Sequence, residues 1–508
     1  MSLLKINIAS NFVGNVWQTI MGLAFVPLYI KFLGVEAYGL IGIFTTMQAM
    51  FAILDMGLGQ TMNREMALLS GQHGKEQEMC NLTRSLEFIY WGIAIFIGVI
   101  VFSLSSFIAN NWVNANLLSP RTIEQAIWIM GFNMTLQWPV SLYSSGLRGL
   151  QKLVALNGII VVFSTLRGAG AVLVLWLFYP TIQAFFLWQI VMSSCHVCLL
   201  AIALWFNLPK AENKAKFQKQ LLFRVWKFAA SISGITIIMA VLAQIDKIIL
   251  SKLLSLEMFG YYTLASVIAM SLNRFIFPIT GGIYPRITQL VSIGDYDGVK
   301  QLYHKSCQFV SVMLFPITTF ISMFSYEILL LWTQSTVTAS KTYILASILV
   351  WGTALSGLVN MPYKLQWAYG WTKLGLYISL ISVSLFIPFI IAMTINFGAI
   401  GSSVSWVILN GISMFFIIQL MHQRLLKTEK WRWYFQDVSL PLLTSLIIAG
   451  LGRILFVSPM SQFPAFLILC FIFLVTMTCS AIATPVTRTW LASKYVRYRK
   501  GYNHSFKL

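Results

Sequence analysis

Ile30-Lys31-Phe32-Leu33-Gly34-Val35-Glu36-Ala37-Tyr38-Gly39-Leu40 decides the architecture, because the chain carries it twice. At an offset of 221 stands Ser251-Lys252-Leu253-Leu254-Ser255-Leu256-Glu257-Met258-Phe259-Gly260-Tyr261, with Lys, Leu, Glu and Gly in register. The same offset lays Gly149-Leu150-Gln151-Lys152-Leu153 on Gly370-Trp371-Thr372-Lys373-Leu374. One residue further on, Arg64 falls on Arg286. Matches in three places at nearly one spacing mark an internal duplication.

Outward from these motifs the sequence is a series of apolar runs. The chain has 508 residues, 58% apolar and only 10% charged, with a mean hydropathy of +0.77. A soluble domain carries about 25% charged residues, so this composition excludes a set of soluble domains. A membrane span needs about 20 apolar residues. Fourteen such runs begin near residues 10, 38, 85, 124, 153, 181, 225, 259, 306, 340, 373, 398, 438 and 464. In lipid their backbone groups must be satisfied within each segment, so the spans are helices. The N-terminal run from Ser10 has no small-residue cleavage site after it and reads as a retained first span.

The net charge of +20 comes from 35 Lys and Arg against 15 Asp and Glu. With the N-terminus inside, 27 of the basic residues fall on the cytoplasmic side. Five fall outside (Lys31, Arg121, Lys252, Lys341, Arg453), and Arg167, Lys247 and Arg274 lie within spans. That asymmetry places both termini in the cytoplasm and accounts for the basic charge without nucleic acid as a partner. Each repeat holds six spans, an even number, so both copies insert the same way up. The expected fold is all-α: two parallel six-helix lobes at 1–210 and 211–430, facing each other across a cavity, then helices 13 and 14 with a basic tail at 431–508. The tail, Lys494-Tyr495-Val496-Arg497-Tyr498-Arg499-Lys500, is expected to meet anionic membrane lipids.

Several chemistries are excluded. The longest outer loop, near 110–123, has about 14 residues, too few for the catalytic loop of a membrane glycosyltransferase or polymerase. No GxxxxGK[ST] motif occurs, so the chain does not spend ATP itself. The six cysteines sit in or beside apolar runs and imply no disulfide framework. Cys195-His196-Val197-Cys198 has no second ligand pair and is not read as a metal site. Asn81-Leu82-Thr83 fits a glycosylation sequon but falls on the cytoplasmic side.

Charges inside a membrane are costly and mark function by default. Arg167 lies near the middle of span 5 and Arg274 near the middle of span 8. Both offer forked donors suited to phosphate. Arg64, Arg148 and Arg286, at the cytoplasmic mouth, can collect the same anion. Asp55, Asp246 and Glu327 are candidates for coupling to H+ or Na+; the structural alternatives pair Asp55 with an arginine and let Lys247 snorkel outward. No cofactor is expected beyond such an ion.

The opening motif from Phe25 to Leu40 resembles that of Wzx-type polysaccharide-transporter flippases, which export O-antigen or capsule units. So does Leu54-Asp55-Met56-Gly57-Leu58-Gly59-Gln60-Thr61-Met62-Asn63-Arg64-Glu65. Gly146-Leu147-Arg148-Gly149-Leu150-Gln151-Lys152 and Ile245-Asp246-Lys247-Ile248-Ile249-Leu250 are similar to further motifs of that family. The resemblance implies a multidrug/oligosaccharidyl-lipid/polysaccharide (MOP) fold. It also implies a substrate, polyprenyl pyrophosphate carrying an oligosaccharide, moved from the inner to the outer leaflet of a bacterial inner membrane. A polysaccharide polymerase and chain-length machinery are the partners such a role implies. Two alternatives on the same fold are a cation-coupled drug exporter, which needs an acidic cavity, and a lipid II flippase. Lipid II flippases carry charge in the first span, whereas Asn15-Val16-Trp17-Gln18-Thr19 has none.

Overall fold

The computed structural model describes residues 3–223, 241, 244–371, 373–456, 462–485 and 488. Most of the expected seventh span and the basic tail from Lys494 to Lys500 lie outside the described residues. Every other expected span falls on a helix. Among the described residues there is no strand, only an isolated bridge between Asn114 and Ser255. The chain forms two compact units, Met1–Gly260 and Tyr261–Leu508.

The first unit runs α1 (Leu3–Ala24), α2 (Val26–Phe51), a 3-10 turn (Ala52–Asp55), α3 (Leu58–Ser70), α4 (Glu76–Phe107), α5 (Pro120–Gln137), α6 (Val140–Gly149), α7 (Leu153–Leu177), α8 (Ile182–Asn207) and α9 (Ile245–Leu253). Local chemistry sets several starts. Ser119 caps α5 by accepting from Thr122 N at 3.2 Å, with Pro120 at the first helical position, where its missing N–H costs nothing. Thr181 caps α8 through Ala184 N at 3.3 Å. Gly34, at φ 81°, interrupts α2 and separates the first span from the second; only glycine adopts that backbone without strain. The helices pack closely where side chains are small: a Cβ on Gly98 of α4 would overlap Thr135 Oγ1 of α5.

A helix α10 (Leu256–Met270) leads into the second unit. There follow α11 (Asn273–Ser292), α12 (Tyr296–Thr333), α13 (Thr336–Leu358), α14 (Asn360–Ala368), α15 (Lys373–Arg424), α16 (Leu440–Leu455) and α17 (Gln462–Ala483). As one rod, the 52 residues of α15 would reach about 78 Å. Gly398, at φ 60°, breaks it into the eleventh and twelfth spans. The appended α16 and α17 pack on α12, where fully buried Phe324 meets Leu469 and Ile472.

The duplication has a geometric signature in the first unit. A Cβ on Gly39 would overlap the Leu256 carbonyl, and a Cβ on Gly260 would overlap the Val35 carbonyl. Subtracting the repeat offset of 221 turns 256 into 35 and 260 into 39, so the two motif copies touch each other reciprocally. The loop between α4 and α5 joins them. Buried Glu36 accepts from Asn116 N at 2.8 Å, Leu117 N at 2.9 Å and Leu118 N at 3.3 Å, while Leu256 N donates to Asn114 O at 2.7 Å.

The second duplicated motif needs a correction of register. Helices α6 and α14 end in the same C-cap, with Gln151 (φ 57°) and Gly370 (φ 69°) left-handed. Lys152 N bonds Leu147 O, and Trp371 N bonds Gln366 O, the Schellman pattern. These equivalent turns are 219 residues apart, not 221, because backbone geometry rather than residue identity defines them.

Candidate functional site

Arg167 sits in the middle of α7, half-buried, on the wall of a cavity of about 280 Å³ in the first unit. Its polar neighbours there are Gln18, Thr45, Ser164, Gln189 and His196, and among the described residues no carboxylate lines the space. Arg167 Nη2 donates to Ser193 Oγ at 3.1 Å, and its Nε, buried, has no acceptor among the described residues. The guanidinium is therefore held inside the membrane by a neutral hydroxyl, with no carboxylate paired to it among the described residues.

Those partners form a chain. Ser193 Oγ donates to Asn133 Oδ1 at 2.6 Å. Gln137 Nε2 reaches Asn133 Oδ1 at 3.2 Å and Ser193 Oγ at 3.1 Å. Gln48 Nε2 donates to Gln137 Oε1. Beyond this amide pair lies a second cavity, of about 200 Å³, whose wall includes Gln48, Asp55, Gln137, Trp138 and Ser141.

Asp55 ends the 3-10 turn that interrupts the second span. Met56 (φ 44°) and Gly57 (φ 75°) follow it in left-handed conformation before α3 begins. An arginine partner for Asp55 was one expectation, and the structure corrects it. Asp55 Oδ1 accepts from Tyr90 OH at 2.5 Å and Ser141 Oγ at 3.3 Å, and Oδ2 from Gly59 N at 3.2 Å. Neutral donors hold the carboxylate because α4 and α6 bring hydroxyls, not guanidinia, to the break. The eighth span is interrupted too, at Ser271–Leu272 between α10 and α11, and exposed Arg274 follows directly. Interrupted spans at corresponding places in two repeats are the architecture's pointer to binding sites.

The other candidates line neither of these two cavities. Exposed Arg64 pairs with buried Glu65 at 2.7 Å, and Arg148 is exposed in the last turn of α6. Arg286 is exposed on α11 and donates to Gln289 Oε1 at 2.6 Å. Asp246 is buried in the first turn of α9 and Lys247 half-buried; adjacent positions on a helix face different ways. Glu327 is bound to Arg453 at 2.5 Å. That arginine belongs to the last turn of α16 rather than to an outer loop, so this carboxylate ties the appended helices to α12.

A search for charges missed the neutral amides and hydroxyls around Arg167 and Asp55. It also missed a buried cluster in the second unit. His304 Nδ1 lies 2.5 Å from Asp437 Oδ2, and its Nε2 3.2 Å from Glu429 Oε2. Gln308 Nε2 donates to Asp437 Oδ1 at 2.9 Å. Asp437 lies in the π-helical segment Trp433–Ser439 that precedes α16. The Glu shared by the two loop motifs was a signal for Glu36; nothing in the spacing of His304, Glu429 and Asp437 announces their meeting.

The family model described as polysaccharide biosynthesis protein matches residues 4–291, and a MatE model matches 231–392. The chain belongs to the polysaccharide biosynthesis protein family. A Shigella flexneri protein described as a proposed O-antigen transporter is 19% identical over 408 residues, 80% of this chain and 94% of that protein. The fold matches an inward-facing multidrug-resistance transporter of the MOP superfamily, with a TM-score of 0.67 at 14% identity over 81% of this chain and 96% of that one. It also matches the lipid II flippase MurJ, inward closed, with a TM-score of 0.66 at 13% identity over 93% and 97%. This member of the polysaccharide biosynthesis protein family is thus a multi-pass membrane protein with the fold of MOP-superfamily transporters.

Proposed function

We propose that the chain is a flippase in a bacterial inner membrane. It carries polyprenyl-pyrophosphate-linked oligosaccharide from the inner to the outer leaflet by alternating access, for O-antigen or capsule assembly. The observation that carries this reading is Arg167, a mid-span cation whose cavity has no carboxylate in its wall among the described residues. A pyrophosphate is the complementary charge, and a guanidinium fork suits its oxygens. Each sugar hydroxyl left unpaired in hydrocarbon costs roughly 2–7 kcal/mol, and the phosphate charges far more. The run of amides and hydroxyls from Ser193 to Gln48 offers such a head group replacement hydrogen bonds. The kinship with a proposed O-antigen transporter supports the same cargo.

A second reading, a cation-coupled drug exporter, draws on Asp55 in the neighbouring cavity. One experiment separates the two. In a strain lacking this protein, lipid-linked units are expected to accumulate on the inner leaflet while surface polysaccharide disappears. Normal surface polymer together with raised drug sensitivity would reject the flippase and favour the exporter.

A further inference from the structure

The Asp55 cavity has the chemistry of a sugar subsite rather than of an anion site. A carboxylate has about four lone-pair sites. Tyr90, Ser141 and the Gly59 N–H occupy three, which leaves Oδ2 able to accept one more hydrogen bond. Gln48 and Gln137 present amides, which both donate and accept, as hydroxyl recognition requires. Trp138 supplies an aromatic face, and its buried indole N–H has no acceptor among the described residues. Apolar Ile97 completes a wall on which the C–H face of a ring can rest. At about 200 Å³ the space suits a single pyranose ring.

Its position matters as much as its lining. The Gln48–Gln137 pair lies in the wall of this cavity, and the chain through Asn133 and Ser193 runs from it to Arg167, in the wall of the other. A head group with phosphates at one end and sugars beyond has the same order of charge, then hydroxyl. Resting on the flippase reading above, we propose that the Asp55 cavity holds one neutral or amino-sugar ring of the head group. The carboxylate of Asp55 excludes uronic acid rings, whose own carboxylate would face it.

The test uses the purified full-length protein in nanodiscs with three probes: methyl α-glucopyranoside, methyl α-glucuronide and inorganic pyrophosphate. Sugar binding is read by saturation-transfer NMR and pyrophosphate by broadening of its phosphorus signal. The glucoside is expected to bind roughly tenfold better than the glucuronide, the scale of one interaction with a charged group. Asp55→Asn is expected to bring the two sugars level. Trp138→Phe, which keeps the ring but removes the N–H, is expected to weaken the glucoside and serves if Asp55→Asn does not fold. Neither change is expected to alter the pyrophosphate signal, whereas Arg167→Gln abolishes it. Equal binding of both sugars to the unaltered protein, binding of neither, or an unchanged preference in Asp55→Asn would each overturn the sugar subsite. If pyrophosphate still binds, the phosphate reading survives that failure; if pyrophosphate alone fails to bind, the Arg167 site is what falls.

Discussion

Arg167 is tied by one hydrogen bond to a serine that is itself committed to Asn133. That leaves most of its five donors available to an anion. Arg167→Gln is therefore expected to lower transport of lipid-linked units into proteoliposomes by about tenfold or more, the effect of one lost charge-assisted interaction. Arg167→Lys is expected to recover part of that loss, because a lysine restores the charge but not the fork. Equal rates for all three proteins at equal incorporation would remove Arg167 from the cargo path. Glu36 makes the opposite kind of prediction. Its carboxylate draws the backbone of the loop between α4 and α5 together, so Glu36→Gln should cost about 1.5–3 kcal/mol, the worth of a hydrogen bond to a charged group. A fluorescence melt in detergent that shows no fall in Tm would refute that role.

At the scale of elements, the interrupted second span is the feature to test. Gly57 holds a left-handed backbone (φ 75°) between Asp55 and α3, where alanine is strained. Gly57→Ala is expected to reduce transport more than it reduces Tm, because it moves Asp55 relative to Tyr90 without emptying the core; a purely thermal effect with normal transport would contradict this. The segment before α16 depends on His304 and its two carboxylates. Burial acts to raise the pKa of Glu429, but the Thr428 hydrogen bond and the nearby His304 and Arg432 outweigh it and hold the pKa below the usual carboxylate value. A depressed folded pKa gives stability that is full above the unfolded value of about 4.3 and is lost as pH falls through the lower folded value. Glu429→Gln should therefore lower Tm near neutral pH and flatten its fall on the acid side.

For the whole molecule, the distribution of lysine and arginine predicts both termini in the cytoplasm. A fluorescent reporter fused to the C-terminus is expected to be active and a periplasmic phosphatase reporter inactive; the reverse pair would invert the topology. The span order was legible in the sequence because lipid forces each crossing into one long apolar helix, as from Leu153 to Leu177. The duplication was legible because loop motifs keep residue identity. The site was legible only where it was charged. Arg167 and Asp55 declared themselves by their cost in lipid, but Gln48, Gln137, Asn133 and Ser193 are ordinary residues whose meeting depends on how α2, α5 and α8 pack. For the same reason the spacing could not show that Glu327 would be taken up by Arg453 or that Asp55 would be held by Tyr90.

The reciprocal contact of the two loop motifs bears on how such a gene can diverge. Gly39 is confined by the backbone oxygen of Leu256, and Gly260 by that of Val35. No change of side chain at 35 or 256 can make room, since the obstacle is main chain. After duplication, the two halves were free to drift almost everywhere, but each of these glycines answers to the other copy. A library that recombines first halves and second halves of distant relatives should tolerate wide variation in the spans and still reject nearly every chimera that lacks either glycine.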